Sequence, residues 1–357
     1  MEAIGSLSQM PSFSKSLSVP DYNSFSNQTT PNTKMKHHHI STLRLAALAG
    51  ISLVTPALAV VTTTDTFGSG GNAFTMDFVT IGNAGNAADT AGAHRGSVAY
   101  TYRMGSYEVS EAMISKANAA GSLGIIKDTR GANKVATSIS WNEAARFVNY
   151  LNVSSGSAAA YKFNTQPGDG GYDVSASITL WAPGDVGYDI TNPFRNSNAK
   201  YFLPSVDEWY KAAYYSSSGT YYNYATGSNT IPTAVASGTV GAVYNNQVEP
   251  ADITSAGGLS PYGTMAQGGN AWEWNETEYD LLNNSPTSAR ILAGGSWGSF
   301  YDYGGVSLGA SSYTINGNPG GQGFFPTGFR VASIPEPSSL VLTLLGSGAL
   351  LLRRKRG

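Results

Sequence analysis

Four carboxylates crowd into one short segment: Glu273, Glu276, Glu278 and Asp280. Carboxylates this close can serve as the acid and base of glycoside hydrolysis, hold a hard cation, or face solvent. Their spacing assigns no acid and base roles, so the segment reads first as a solvated acidic loop or a cation site. Carboxylate catalysis stays open as the alternative. Other chemistries fail for want of side chains. The 357 residues contain no cysteine, which removes thiolate nucleophiles and soft-metal ligands. Of the four histidines, His37, His38 and His39 lie near the N-terminus and only His94 lies in the body of the chain. One histidine cannot make a metal triad, and it leaves a serine hydrolase without its base, since no GxSxG elbow falls at a strand-to-helix turn.

Two helices are predicted around these residues, each opening with a capping box in which a serine hydroxyl and an acid three residues later satisfy each other's backbone amides. Ser140 with Glu143 opens the first, where Trp141, Ala144, Ala145, Val148 and Leu151 share one face. Ser205 with Glu208 opens the second after Leu203-Pro204, and Trp209, Ala212 and Ala213 form its buried stripe. Elsewhere 42 glycines and only 12% charged residues predict many turns and few long helices.

The two ends read as processing signals. Residues 1–34 are Ser- and Asn-rich and form a disordered extension or precede the true start codon. Residues 35–59 read as a secretory signal peptide, with Lys36 and Arg44 before an apolar run and cleavage after Ala59. At the other end, Pro335-Glu336-Pro337 precedes an apolar stretch from Leu340 to Leu352 and then Arg353-Arg354-Lys355-Arg356. Residues 335–357 thus resemble the PEP-CTERM sorting signal of Gram-negative bacteria. That resemblance implies export across the inner membrane, handling by exosortase-type machinery, and delivery to the envelope or extracellular matrix. The apolar stretch is short of the roughly 17 residues a membrane span needs, which suits a transient anchor with its basic end in the cytoplasm.

Between the ends, residues 60–334 carry 13 Lys and Arg against 20 Asp and Glu, a net charge of −7, where the whole chain has −2. An acidic surface without a basic cluster excludes nucleic acid as a partner, because phosphate binding needs concentrated cations. This length suffices for one large core without disulfide bracing.

The segment Gly268 to Trp274, GGNAWEW, resembles the signature of the formylglycine-generating enzyme family, also called the sulfatase-modifying factor family. The likeness extends from MGSYEVS at Met104 through SISWNEAARF, LPSVDEWYKAA, Pro261-Tyr262-Gly263 and LAGGSWGS to GFRVA at Gly328. It implies an irregular α+β fold related to C-type lectins, with few helices, small antiparallel sheets and long loops. Residues 154–200, with GDGGYD at Gly168 and GDVGYD at Gly184, depart from the pattern and are expected to form a surface insertion. The family's oxidases hold copper with paired cysteines, and its sulfoxide synthases hold iron with histidines. Neither set is present, so no copper or iron is expected and formylglycine-forming activity is not. The family's signature loop binds calcium, which implies a calcium site at Gly269, Asn270, Ala271 and Glu273. A second calcium loop aligns loosely with Tyr244, Asn245 and Asn246.

Twenty-one tyrosines supply the last clue. Tyrosine joins a rigid apolar ring to a hydroxyl, which suits sugar stacking and recognition surfaces, so Tyr221, Tyr222, Tyr224, Tyr301 and Tyr303 mark a candidate binding face. The sequence reading is an exported, non-catalytic, lectin-like module for polysaccharide or matrix protein. An extracellular enzyme with a carboxylate site and a purely structural biofilm-matrix protein are the alternatives.

Overall fold

The computed structural model describes residues 61–299, 309, 314–321 and 326–335. The extension, the signal segment with Ala59, Tyr301, Tyr303, and Glu336 and Pro337 with the rest of the tail lie outside the described residues. Pro335, described, is half-buried at the end of the domain.

Serines cap all three α-helices among the described residues. α1 spans Glu111–Gly121, α2 Trp141–Ser154 and α3 Val206–Tyr214. The Ser140/Glu143 and Ser205/Glu208 boxes form as the sequence predicts. In α1 the reciprocal partner is the Met113 sulfur rather than an acid, so a search for Ser-x-x-Glu passes over this helix. α2 is buried along nearly its whole length, since short Ala144 and Ala145 let it approach Phe74, Phe329 and Val331 in the main core.

Among the described residues, nine short strands make two sheets. The larger holds β1 (Thr62–Phe67), β2 (Phe74–Ile81), β3 (Tyr102–Gly105), β4 (Tyr201–Phe202) and β9 (Ala332–Ser333) in the order β1-β2-β3-β9-β4, every neighbour antiparallel. The smaller runs β7 (Thr314–Gly317), β6 (Arg290–Ala293), β5 (Trp272–Glu278), β8 (Thr327–Gly328). Its β5 and β8 are parallel, the one parallel pair among the described strands, and a register shift between Trp274 and Glu278 kinks β5 against β6. No helix among the described residues is long and apolar enough to cross a membrane.

Residues 155–200 contain no helix or regular strand, yet they are more than a surface flap. Tyr161, Phe163, Ile178 and Phe194 are buried in the main core. Their turns are built twice: PGDGGYDVS at Pro167 recurs as PGDVGYDIT at Pro183. In each copy the first aspartate's Oδ2 accepts an N–H three residues back, from Gln166 at 2.7 Å and from Ala182 at 2.8 Å. The second aspartate accepts from the residue two ahead, Ser175 at 2.9 Å and Thr191 at 2.8 Å. Gly168 and Gly184 take φ of +97° and +98°, which a side chain would strain. The first copy docks on the body, where Tyr172 donates to the Leu123 carbonyl at 2.7 Å beneath Arg146. The second leaves Val186 and Ile190 81% and 79% exposed.

Candidate functional site

The sequence places its chemistry on β5, and every residue of that strand is buried. Burying a carboxylate is costly without a partner, and each glutamate of β5 meets an arginine from a different segment. Glu273 receives Arg330 Nε at 2.6 Å and Nη2 at 2.5 Å, with Trp209 Nε1 at 2.6 Å. Glu276 receives Arg195 through Nε and Nη2 at 2.8 to 3.1 Å, the Tyr161 hydroxyl at 2.7 Å and Asn192 Nδ2 at 2.6 Å. Glu278 has the loosest pair, with Arg290 Nη1 3.7 Å away and both Glu278 Oε2 and Arg290 Nε lacking a hydrogen bond. Burial accordingly pulls Arg290 down to about 10 despite the nearby Glu278 and Glu276.

The four signature residues expected at calcium lie together but have other partners. Gly269, at φ +101°, approaches the Val243 carbonyl so closely that a Cβ would sit 2.5 Å from it. Asn270, in the left-handed region at φ 60°, accepts the Ala251 N–H at 2.8 Å through its side chain and donates to Glu108. Its main-chain carbonyl accepts from Trp297, and the Ala271 N–H donates to Glu108 at 3.2 Å. Glu108 is fully buried, and burial, reinforced by nearby Glu273, holds its carboxyl well above the ordinary value. In the second loop, the Tyr244 hydroxyl donates to the Pro232 carbonyl, and Asn245 and Asn246 both adopt positive φ. Among the described residues no group of three or more His, Asp or Glu side chains could hold a metal ion.

The tyrosine face is only partly described, and Tyr221 packs inward. The Tyr221 hydroxyl donates to the Gly96 carbonyl at 2.9 Å and accepts from Asn86 at 2.8 Å, while its ring lies 4.7 Å from that of Tyr215. Tyr221 therefore pins the loop 86–96 against α3. Tyr222 and Tyr224 are half-buried beside it. His94 is exposed and Ser296 is buried with no histidine near it in the described hydrogen bonds.

A polar cavity joins Glu276 and Ser205 to residues that the sequence reading left aside. It measures about 320 Å³ and is lined by Arg95, Thr191, Asn192, Phe194, Ser205, Val206, Asp207, Glu276, Thr277, Leu281 and Asn283. Its floor is rigid. Arg195 bridges Glu276 and Glu208, reaching Glu208 at 3.0 and 3.2 Å, and stacks on Phe202 at 3.7 Å. Burial alone would raise Glu208, but Arg195 overrides it and holds the carboxyl below its usual value. Asp207 moves the other way, because burial outweighs the Gly96 N–H and nearby Arg95. A second groove of about 460 Å³ beside Tyr150 is mainly apolar, and Arg146 and Asn149 on its wall are engaged with backbone carbonyls.

The sulfatase-modifying factor enzyme 1-like domain model matches residues 72–333. The chain belongs to that family. Among solved structures this sulfatase-modifying factor enzyme 1-like protein is similar to Treponema denticola variable protein 1, with 21% identity, 77% of this chain and 99% of that one covered, and a TM-score of 0.53. That likeness establishes the fold. CarF (17% identity, 73% and 99% covered, TM-score 0.46) and PvdO from Pseudomonas aeruginosa (13%, 76% and 98%, 0.47) are similar too. No curated protein matches the sequence.

The metals of the family can be tested against these residues. Copper needs thiolates, and this member of the family has none to offer. For calcium, the side-chain oxygens of Asn270 and Glu273 already accept from Ala251, Trp209 and Arg330, so a cation there would have to displace a guanidinium. The expected donor set does not fit.

Arg330 and Arg195 are the residues that decide these arrangements. Arg330 lies in the GFRVA motif, where an arginine amid apolar neighbours signals a buried partner. Arg195 carries no sequence signal, since it comes from the insertion.

Proposed function

We propose that this chain uses the family fold as a scaffold for ligand binding outside the cytoplasm, without the family's oxidative chemistry. The observation that carries the reading is the locked state of β5: each of its three glutamates is paired to an arginine, two of these arginines being fully buried, and no cysteine exists to bind copper. Side chains fixed this way make a stiff frame, whereas acid and base catalysis needs carboxyl groups free to exchange protons. Export rests on the signal-like segment before Ala59 and on the sorting-like tail from Pro335, and the net charge of −7 over residues 60–334 suits a matrix or surface setting. The ligand classes are polysaccharide or matrix protein, with exosortase-type machinery as the processing partner.

The test is incubation of the purified protein with a sulfatase-derived cysteine peptide under air, followed by mass spectrometry, beside a saturation-binding screen on matrix polysaccharides. Formylglycine in the peptide would overturn the reading; saturable binding without it is the expected result.

A further inference from the structure

We infer that the cavity at the start of α3 is the ligand site of this module and that it takes one neutral sugar ring, an inference that rests on the binding reading above. Four groups around it have capacity left over. Asp207 gives one oxygen to the Gly96 N–H at 2.8 Å, and its other oxygen has no protein partner among the described residues. The Arg95 side chain lines the cavity and acts on Asp207 through space, with no side-chain hydrogen bond among the described residues. Asn283 accepts the Glu278 N–H at 2.9 Å through Oδ1, which leaves its amide donors. Thr277 accepts the Val206 N–H at 3.0 Å, which leaves its O–H.

The cavity therefore offers one acceptor and several donors, and hydroxyl groups, which both donate and accept, satisfy the two kinds together. Charge narrows the class. The charged residues that line it are Asp207, Glu276 and Arg95, so phosphate, sulfate or uronate would meet a net negative wall, while Arg95 repels an ammonium group. The volume of about 320 Å³ sits at the small end of ligand pockets, enough for a single sugar ring. Exposed Leu281 supplies an apolar edge. The second twin turn closes one side, since Thr191 and Asn192 line the cavity and Asn192 is tied to Glu276 at 2.6 Å.

The experiment is calorimetric titration of the purified protein with free neutral hexoses, alongside retention on immobilised polysaccharides with hexose as competitor. Both are repeated with Arg95→Ala and with Asp207→Asn, which keeps the oxygen that Gly96 uses. Each variant is expected to weaken binding at least about tenfold, the scale of one or two lost hydrogen bonds, with an unchanged unfolding midpoint. Binding of free hexose marks a small-molecule ligand, and hexose-competed retention marks a chain end; either supports the inference. Sugar binding equally strong in both variants would overturn the cavity but leave the module reading intact. Absence of any sugar binding would overturn the inference too, while the formylglycine assay decides the wider reading independently.

Discussion

Arg330 grips Glu273 side-on, its Nε and Nη2 on separate carboxylate oxygens at 2.6 and 2.5 Å, with neither side chain exposed to solvent. The pair joins the GFRVA segment to the signature strand β5, and Arg330 also donates to the Gly105 and Met265 carbonyls at 3.0 and 2.7 Å. One guanidinium thus ties together segments from four parts of the sequence.

Removing that guanidinium leaves a buried carboxylate unpaired. Arg330→Met should destabilise the domain by about 3–5 kcal/mol, measured by urea unfolding. Glu278→Gln should cost clearly less, because its arginine stands 3.7 Å away and both groups already keep an unsatisfied atom. Equal losses in the two variants would contradict this ranking.

Lys211 gives a pH signature. It is fully buried, donates to the Asn83 carbonyl at 2.9 Å, and burial pulls its pKa from 10.5 to about 8. Below pH 8 both folded and unfolded chains hold the proton, and the folded state bears the cost of a buried charge. Between pH 8 and 10 the unfolded chain binds more protons, so stability should rise with pH. Above that, tyrosines such as Tyr262, raised to about 12 by burial, reverse the slope. Urea unfolding between pH 7 and 10 checks this, and Lys211→Met should flatten the rise.

The twin turns should respond unequally to the same change. Gly171 and Gly187 share φ near +80°, at +77° and +82°, but a Cβ at Gly187 would fall 1.7 Å from Asn196 Oδ1 while one at Gly171 meets nothing. Gly171→Ala should cost about 1 kcal/mol from backbone strain. Gly187→Ala should lower the thermal midpoint further, because buried Asn196 must give up its hydrogen bond to the Val186 carbonyl.

Calcium provides a direct check on the signature loop. With Glu273 held by Arg330 and Trp209, added calcium should leave the thermal midpoint where chelator leaves it. A ligand at 100 times its Kd adds about 2.7 kcal/mol, so a real site would be plain, and loss of such a shift in Glu273→Gln would restore calcium to the loop.

Much of this fold is legible along the chain. The boxes at Ser140 and Ser205 work because both members lie within one turn, whereas the acidic segment from Glu273 reads as a solvated or cation-binding loop and is instead a fully buried strand, its charges matched by arginines that local sequence does not reveal. What escapes is set by distance. Glu273 finds Arg330 57 positions away, and Tyr221 reaches Asn86 across 135. The α1 helix escapes differently, because the Met113 sulfur takes the place of the usual acid. Asp207 and Arg95 look like ordinary surface charges until the loop 86–96 folds over α3.

The larger sheet has its last strand in its interior: Ala332–Ser333 lie between Tyr102–Gly105 and Tyr201–Phe202. A chain made from its N-terminus has both of those edges waiting, unpaired, until its final domain residues arrive. The moment of closure is therefore set by synthesis itself, and any chain halted before residue 333 stays open along a seam through the middle of the sheet.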